Sequence, residues 1–223
     1  MNFTDKMKTN MTGIATRLAL AISLAGILAT PVVPAERKLM LVAVGDSLTA
    51  GYGLPAKDSF PAQLEALLRQ RGLDVQIVNA GVSGDTTSAG LARFDWSVPE
   101  GTDGVILELG ANDALRGLDP GSAEKALDAM LSRLKERRIP VLLAGMYAPR
   151  NLGPDYVAAF DAIYPRLAEK YGVVFYPFFL EGMMGIPSLG LGDGLHPNAE
   201  GVAVIARGIL PKAEELIARI PQR

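Results

Sequence analysis

Five short apolar runs, separated by stretches with helical periodicity, set the limits on what this chain can become. Residues 39–44 end at Gly45-Asp46, residues 75–78 at Asn79-Ala80-Gly81, and residues 105–109 at Gly110. Pro140 opens a fourth run through Ala144, and residues 173–176 form the fifth. Brief runs with turn residues at their ends read as buried strands. Between them lie expected helices at 58–71, 87–94, 120–138, 155–171 and 197–217. In the first, Phe60, Leu64, Leu67 and Leu68 share one face before Gly72,. Pro165 should kink or interrupt the fourth,. Pro197 should open the last, which should break near Pro211,. Parallel neighbours need crossover connections, so this alternation predicts a three-layer α/β/α sandwich on a five-stranded parallel sheet. Ligands of such sheets bind at the carboxyl ends of the strands. There the chain places Gly45-Asp46-Ser47-Leu48, Gly81-Val82-Ser83-Gly84-Asp85 and Gly110-Ala111-Asn112-Asp113, all small, polar and rich in glycine. Asp46, Asp85 and Asp113 are expected to cap turns and hold these loops.

Composition removes whole classes of chemistry. The 223 residues contain no cysteine and one histidine. Disulfides, thiolate metal sites, cysteine nucleophiles and zinc sites built on several imidazoles are therefore excluded, and no metal or organic cofactor is implied. With 22 basic and 24 acidic side chains the chain lacks the cationic excess that nucleic acid demands,. A monomer acting on a small molecule is expected. At the N-terminus, Lys6, Lys8 and Arg17 precede the uncharged apolar residues 18–28, and Val33 and Ala35 supply a small-residue cleavage pattern. That apolar stretch is too short to span a bilayer as a helix. Residues 1–35 thus read as a secretory signal and 36–223 as the domain, implying a periplasmic or secreted protein with no stable membrane insertion after cleavage.

Ser47 stands where the first strand gives way to a helix, a position that by itself reads first as an N-cap and only then as a nucleophile. A seryl oxygen needs a neighbouring base, and the chain offers only His196. That residue lies in Gly192-Asp193-Gly194-Leu195-His196-Pro197. Alone it reads as a surface histidine; with Asp193 three residues earlier it reads as a base with an orienting carboxylate. For a developing oxyanion, candidate donors are the backbone N–H groups of Ser47 and Gly81 and the Asn112 amide. Gly81 and Asn112 also fit ordinary turns.

Four blocks in order, Gly45-Asp46-Ser47-Leu48, Gly81, Gly110-x-Asn112-Asp113 and Asp193-x-x-His196, resemble those of the SGNH (GDSL-type) hydrolases. The likeness extends to flanking text such as Asn79-Ala80-Gly81-Val82-Ser83-Gly84-Asp85 and covers essentially the whole expected domain. It is strongest to the bacterial periplasmic branch of acyl-CoA thioesterases, lysophospholipases and arylesterases. The resemblance implies a flavodoxin-like sandwich hydrolysing acyl esters and thioesters, with Ser47 as nucleophile, His196 as base and then acid, and Asp193 as its partner. It also implies an oxyanion hole of Ser47, Gly81 and Asn112. Loops 114–120, 146–154 and 177–191 should line the acyl pocket, with Leu115, Tyr147, Met184 and Ile186 as substrate contacts. The apolar part of the last loop, from Phe178 to Leu189, also suits simple packing.

Two rival readings share these residues. A polysaccharide or peptidoglycan deacetylase uses the same blocks, although a single tryptophan, Trp96, and 6% aromatics weigh against it. A non-catalytic binding module on the same sandwich would have no use for nucleophile, base and donors together. The Gly-x-Ser-x-Gly elbow of α/β-hydrolases is absent, since Thr49 stands two residues after Ser47,.

Overall fold

A computed structural model describes residues 38–221, so the segment read as a secretory signal lies outside the described residues. The five apolar runs form β1 (Leu39–Gly45), β2 (Val75–Gly81), β3 (Gly104–Glu108), β4 (Val141–Ala144) and β5 (Val174–Tyr176). All pairings are parallel, in the order β2-β1-β3-β4-β5. This is the flavodoxin-like arrangement, and it bears out the expected sandwich. The helices are α1 (Ser47–Ala50), α2 (Phe60–Gln70), α3 (Thr87–Ala92), α4 (Phe94–Ser97), α5 (Ala111–Leu115), α6 (Pro120–Glu136), α7 (Pro154–Asp161), α8 (Ile163–Tyr171) and α9 (Ala199–Ala218). α2 and α9 pack together on one face of the sheet, while α6 joins α3 and α8 on the other. Covered on both sides, β1, β3 and β4 bury Leu41, Val42, Val105, Leu107 and Leu142 completely,. Among the described residues no helix is long and apolar enough to cross a membrane.

Helix boundaries depart from the periodicity where caps and prolines act. The expected helix at 58–71 starts only at Phe60, after a separate 3₁₀ turn at Ala56–Asp58. The one expected at 87–94 stops at Ala92, and a short second helix follows from Phe94. The break expected at Pro165 falls instead at Ala162. Pro165 then sits in the first turn of α8, where its missing N–H has no intrahelical partner to lose. Pro197 does not open α9. Asn198 caps it, its side-chain oxygen accepting the N–H groups of Glu200 and Gly201 at 3.0 and 2.9 Å. Pro211 does not break α9 either, because Val202, Ile205, Ile209, Ala213 and Leu216 keep one continuous buried face that outweighs a lost hydrogen bond,.

The sheet order places β1 between β2 and β3, so the connections leaving β1 and β3 diverge. A crevice opens at their carboxyl ends, where α1 and α5 begin,.

Candidate active site

Ser47 owes its position to Asp46. The buried Asp46 side chain caps α1 by accepting the Leu48 N–H at 2.9 Å, leaving Ser47 as the first helical residue. An N–H at that position has no partner within its own helix. Two glycines allow the turn to sit this tightly. A Cβ on Gly45 would strike Thr49 Oγ1, and one on Gly81 would strike the Ala50 N and lie 2.9 Å from the Asp46 carbonyl,.

The His196 loop arrives from the far end of the chain. His196 Nε2 lies 2.9 Å from Ser47 Oγ, and Nδ1 lies 2.6 Å from Asp193 Oδ2. Asp193 Oδ1 meanwhile accepts the backbone N–H groups of Leu195 and His196, each at 2.9 Å. The His196 N–H foremost, and then the imidazole, hold the Asp193 carboxyl well below the usual carboxylate range,. A carboxylate so fixed places the imidazole proton on Nδ1 and leaves Nε2 to accept the Ser47 hydroxyl proton. The structure thus brings together the three side chains expected to work as a unit.

The three expected oxyanion donors stand differently. Asn112 directs its amide at Asp46 Oδ2, 3.1 Å away, and at the Asp85 carbonyl, 3.0 Å away. Gly81 donates its N–H to Asn79 Oδ1 at 3.0 Å. A substrate oxygen would have to compete with these acceptors, whereas the Ser47 N–H, at the head of α1, has no acceptor within its own helix,.

Glu108, Arg93 and Tyr52 shape the site without having stood out in the sequence. Glu108 is fully buried at the end of β3, where its Oε2 accepts the Thr49 hydroxyl at 2.7 Å and the Asp46 N–H at 3.5 Å. Its Oε1 has no hydrogen-bond partner. Burial pushes the Asp46 carboxyl up to about 6 and Glu108 well above the usual range, with the Asp46 charge adding to the shift of Glu108,. Arg93 pairs with Asp85 at 2.6 Å and donates to the Ala80 and Gly45 carbonyls at 2.8 and 3.0 Å. One guanidinium so ties together the carboxyl ends of β1 and β2. The Tyr52 ring lies against the His196 imidazole. A lone acid inside the apolar run of β3 was a readable signal for Glu108; nothing comparable marked Arg93.

Ser47 and His196 open onto a cavity of about 560 Å³ lined by Leu48, Leu115, Met146, Tyr147, Phe178 and Met184 among others. Three of the four expected substrate contacts, Leu115, Tyr147 and Met184, face it. Ile186 does not line the cavity and is 45% exposed beyond it. The 177–191 loop divides between its two readings: Phe179 and Met183 are buried in the core, while Phe178 stacks on Tyr147 at 4.7 Å in the cavity wall.

Residues 43–204 match the GDSL-like lipase/acylhydrolase family. The chain belongs to this family. It is 40% identical over 181 residues to an arylesterase of Vibrio mimicus, covering 81% of this chain and 89% of that protein. A thioesterase 1/protease 1/lysophospholipase L1 of Escherichia coli strain K12 is 36% identical over 178 residues, 79% of this chain and 84% of its own. The crystal structure of AlinE4, an SGNH-hydrolase family esterase, aligns with a TM-score of 0.69 at 45% identity, covering 83% of this chain and 98% of that one. The resemblance carried by the four sequence blocks is thereby borne out.

Proposed function

We propose that this GDSL-family chain is a serine hydrolase of carboxylic esters and thioesters of acyl chains, working through an acyl-enzyme on Ser47. His196 Nε2 takes the Ser47 proton as Oγ attacks the acyl carbonyl, and the tetrahedral oxyanion forms against the Ser47 N–H, Gly81 N–H and Asn112 amide. Collapse breaks the ester or thioester bond, and the imidazolium gives its proton to the departing oxygen or sulfur. Water then attacks the acyl-enzyme, His196 takes its proton, and the second collapse returns that proton to Ser47 and releases the carboxylic acid. Asp193 steadies the imidazolium in both halves.

The observation that carries this reading is the chain of contacts from Asp193 through His196 to Ser47, at 2.6 and 2.9 Å, on the edge of an apolar cavity. A fluorophosphonate probe tests it. The parent should acquire one adduct, on Ser47, and lose hydrolysis of p-nitrophenyl esters; an unmodified Ser47 in an active preparation would remove it from the chemistry.

The cavity lining also bears on the rival deacetylase reading. A polysaccharide ester would call for a polar, open groove, whereas Leu48, Leu115, Met146 and Met184 suit a hydrocarbon chain,. We further propose that the chain is exported, loses residues 1–35 and works as a monomer in the periplasm or outside the cell. The charged start, short apolar core and Val33-Pro34-Ala35 site support export,. Mass spectrometry of the protein recovered from the producing cell would give the mature N-terminus.

A further inference from the structure

Exposed apolar side chains are unevenly distributed over the described residues. Apart from Trp96, every large one lies in the loops and short helices that leave the carboxyl end of a strand. Met184 is 51% exposed, Leu115 50%, Leu195 47% and Tyr147 41%, and all four line the cavity that holds Ser47 and His196. Tyr52, 52% exposed, continues the patch over the outer face of His196. Leu191 extends it further, its Cδ1 lying 2.9 Å from where a Cβ on Gly53 would be. The apolar surface therefore forms a rim around one opening. Contiguous exposed patches of this kind are costly in water and mark places where something apolar is met.

We infer that this rim seats the enzyme on an acyl-lipid surface, from which a chain passes directly into the cavity. The position of the rim decides the occupant. A protein partner or a second copy seated there would close the mouth through which Ser47 is reached. A lipid aggregate instead presents the ester at its boundary and the hydrocarbon that the cavity accepts. Arg116, beside Leu115 and bonded through Nη2 to the Gly84 carbonyl, adds a guanidinium at the same edge, suited to a lipid phosphate,. The choice of lipid as occupant rests on the ester-hydrolase reading; the uneven distribution of exposed side chains does not.

Cosedimentation of the mature Ser47→Ala chain with phosphatidylethanolamine/phosphatidylglycerol vesicles tests the inference without turnover. The chain should pellet with the vesicles, and adding Leu118→Ser and Leu191→Ser, both exposed and outside the cavity lining, should lower the partition coefficient roughly tenfold. With Ser47 intact, the same pair should leave hydrolysis of a water-soluble short-chain aryl ester unchanged and slow that of lysophospholipid presented in vesicles. A parent that stays in the supernatant, or a pair that pellets equally well, overturns the proposal. So does a concentration-dependent dimer in sedimentation velocity that the same pair abolishes. Vesicle binding without any ester hydrolysis would sink the enzymatic reading alone. Hydrolysis of soluble ester without vesicle binding would sink only the surface.

Discussion

Tyr52 lays its ring over the His196 imidazole with centroids 4.5 Å apart and planes inclined by 34°. Its own backbone N–H donates to the Ser47 carbonyl at 3.1 Å, so one residue touches both Ser47 and His196, the pair proposed to exchange a proton. In the proposed mechanism the imidazole becomes cationic as the tetrahedral intermediate forms, and an aromatic face attracts a cation. Tyr52→Leu keeps an apolar cover but removes the ring, and should lower kcat two- to fivefold with KM little changed. Tyr52→Phe should retain the parental kcat. Equal kcat in the leucine variant would reduce Tyr52 to a packing residue.

Asn112 is held in place before any substrate arrives, by Asp46 Oδ2 and the Asp85 carbonyl. To serve the oxyanion it has to turn one of these two amide protons from its present acceptor to the substrate oxygen,. Asn112→Ala should fold, with an unchanged thermal transition to within a few degrees. It should nevertheless lose about 3 kcal/mol of transition-state stabilisation, two to three powers of ten in kcat. Steady-state kinetics on a p-nitrophenyl ester decides; near-parental turnover would remove Asn112 from the oxyanion hole.

Asp193 uses its two oxygens for different purposes. Oδ1 holds the loop through two backbone N–H groups, and Oδ2 meets His196 Nδ1. Asparagine can keep the first function while presenting an N–H to Nδ1. The imidazole proton then moves to Nε2, which can no longer accept from Ser47. Asp193→Asn should therefore keep its fold and lose on the order of 10⁴ in kcat. A loss below tenfold would show that the carboxylate does not set the tautomer.

The contrast between what was legible and what was not follows the range of the forces involved. Strands β1 to β5 could be read because each is a short apolar run closed by a local turn signal. The contacts among Ser47, Asp193 and His196 followed from where loops leave a parallel sheet, and from there being a single histidine to choose. Helix ends were harder: Pro197 was expected to open α9, but the Asn198 side-chain bonds to Glu200 and Gly201 cap the helix one residue later. Arg93 was out of reach: it bonds to Gly45, 48 positions away in the chain, and no local pattern reports such a partner. Ile186 failed for a related reason. Met184 and Ile186 are both apolar and neighbouring, and which one faces the cavity depends on how the loop turns after Met183.

Glu108 allows a prediction about pH in which the sign can be worked out. Burial first, and the neighbouring Asp46 second, raise its carboxyl well above the ordinary 4.5. The folded state therefore keeps this proton over a range in which the unfolded chain has released it. Stability is then fully present below about 4.5 and falls as pH climbs towards the raised native value. Asp46, pushed up to about 6 from an ordinary 3.8, contributes a slope of the same sign between those limits. Glutamine at position 108 has no proton to lose, can still accept from the Thr49 hydroxyl, and relieves Asp46 of a negative neighbour. Glu108→Gln should match the parent at pH 5 and exceed it at pH 8.5, by on the order of 1–3 kcal/mol, the cost typical of a buried polar group left unsatisfied. Acid-side losses from Asp193, whose carboxyl is shifted the other way, belong below pH 4 and do not enter this window,. Urea unfolding of both proteins at the two pH values measures the difference. Parallel stability curves across the range would mean that Glu108 does not hold a proton in the folded enzyme.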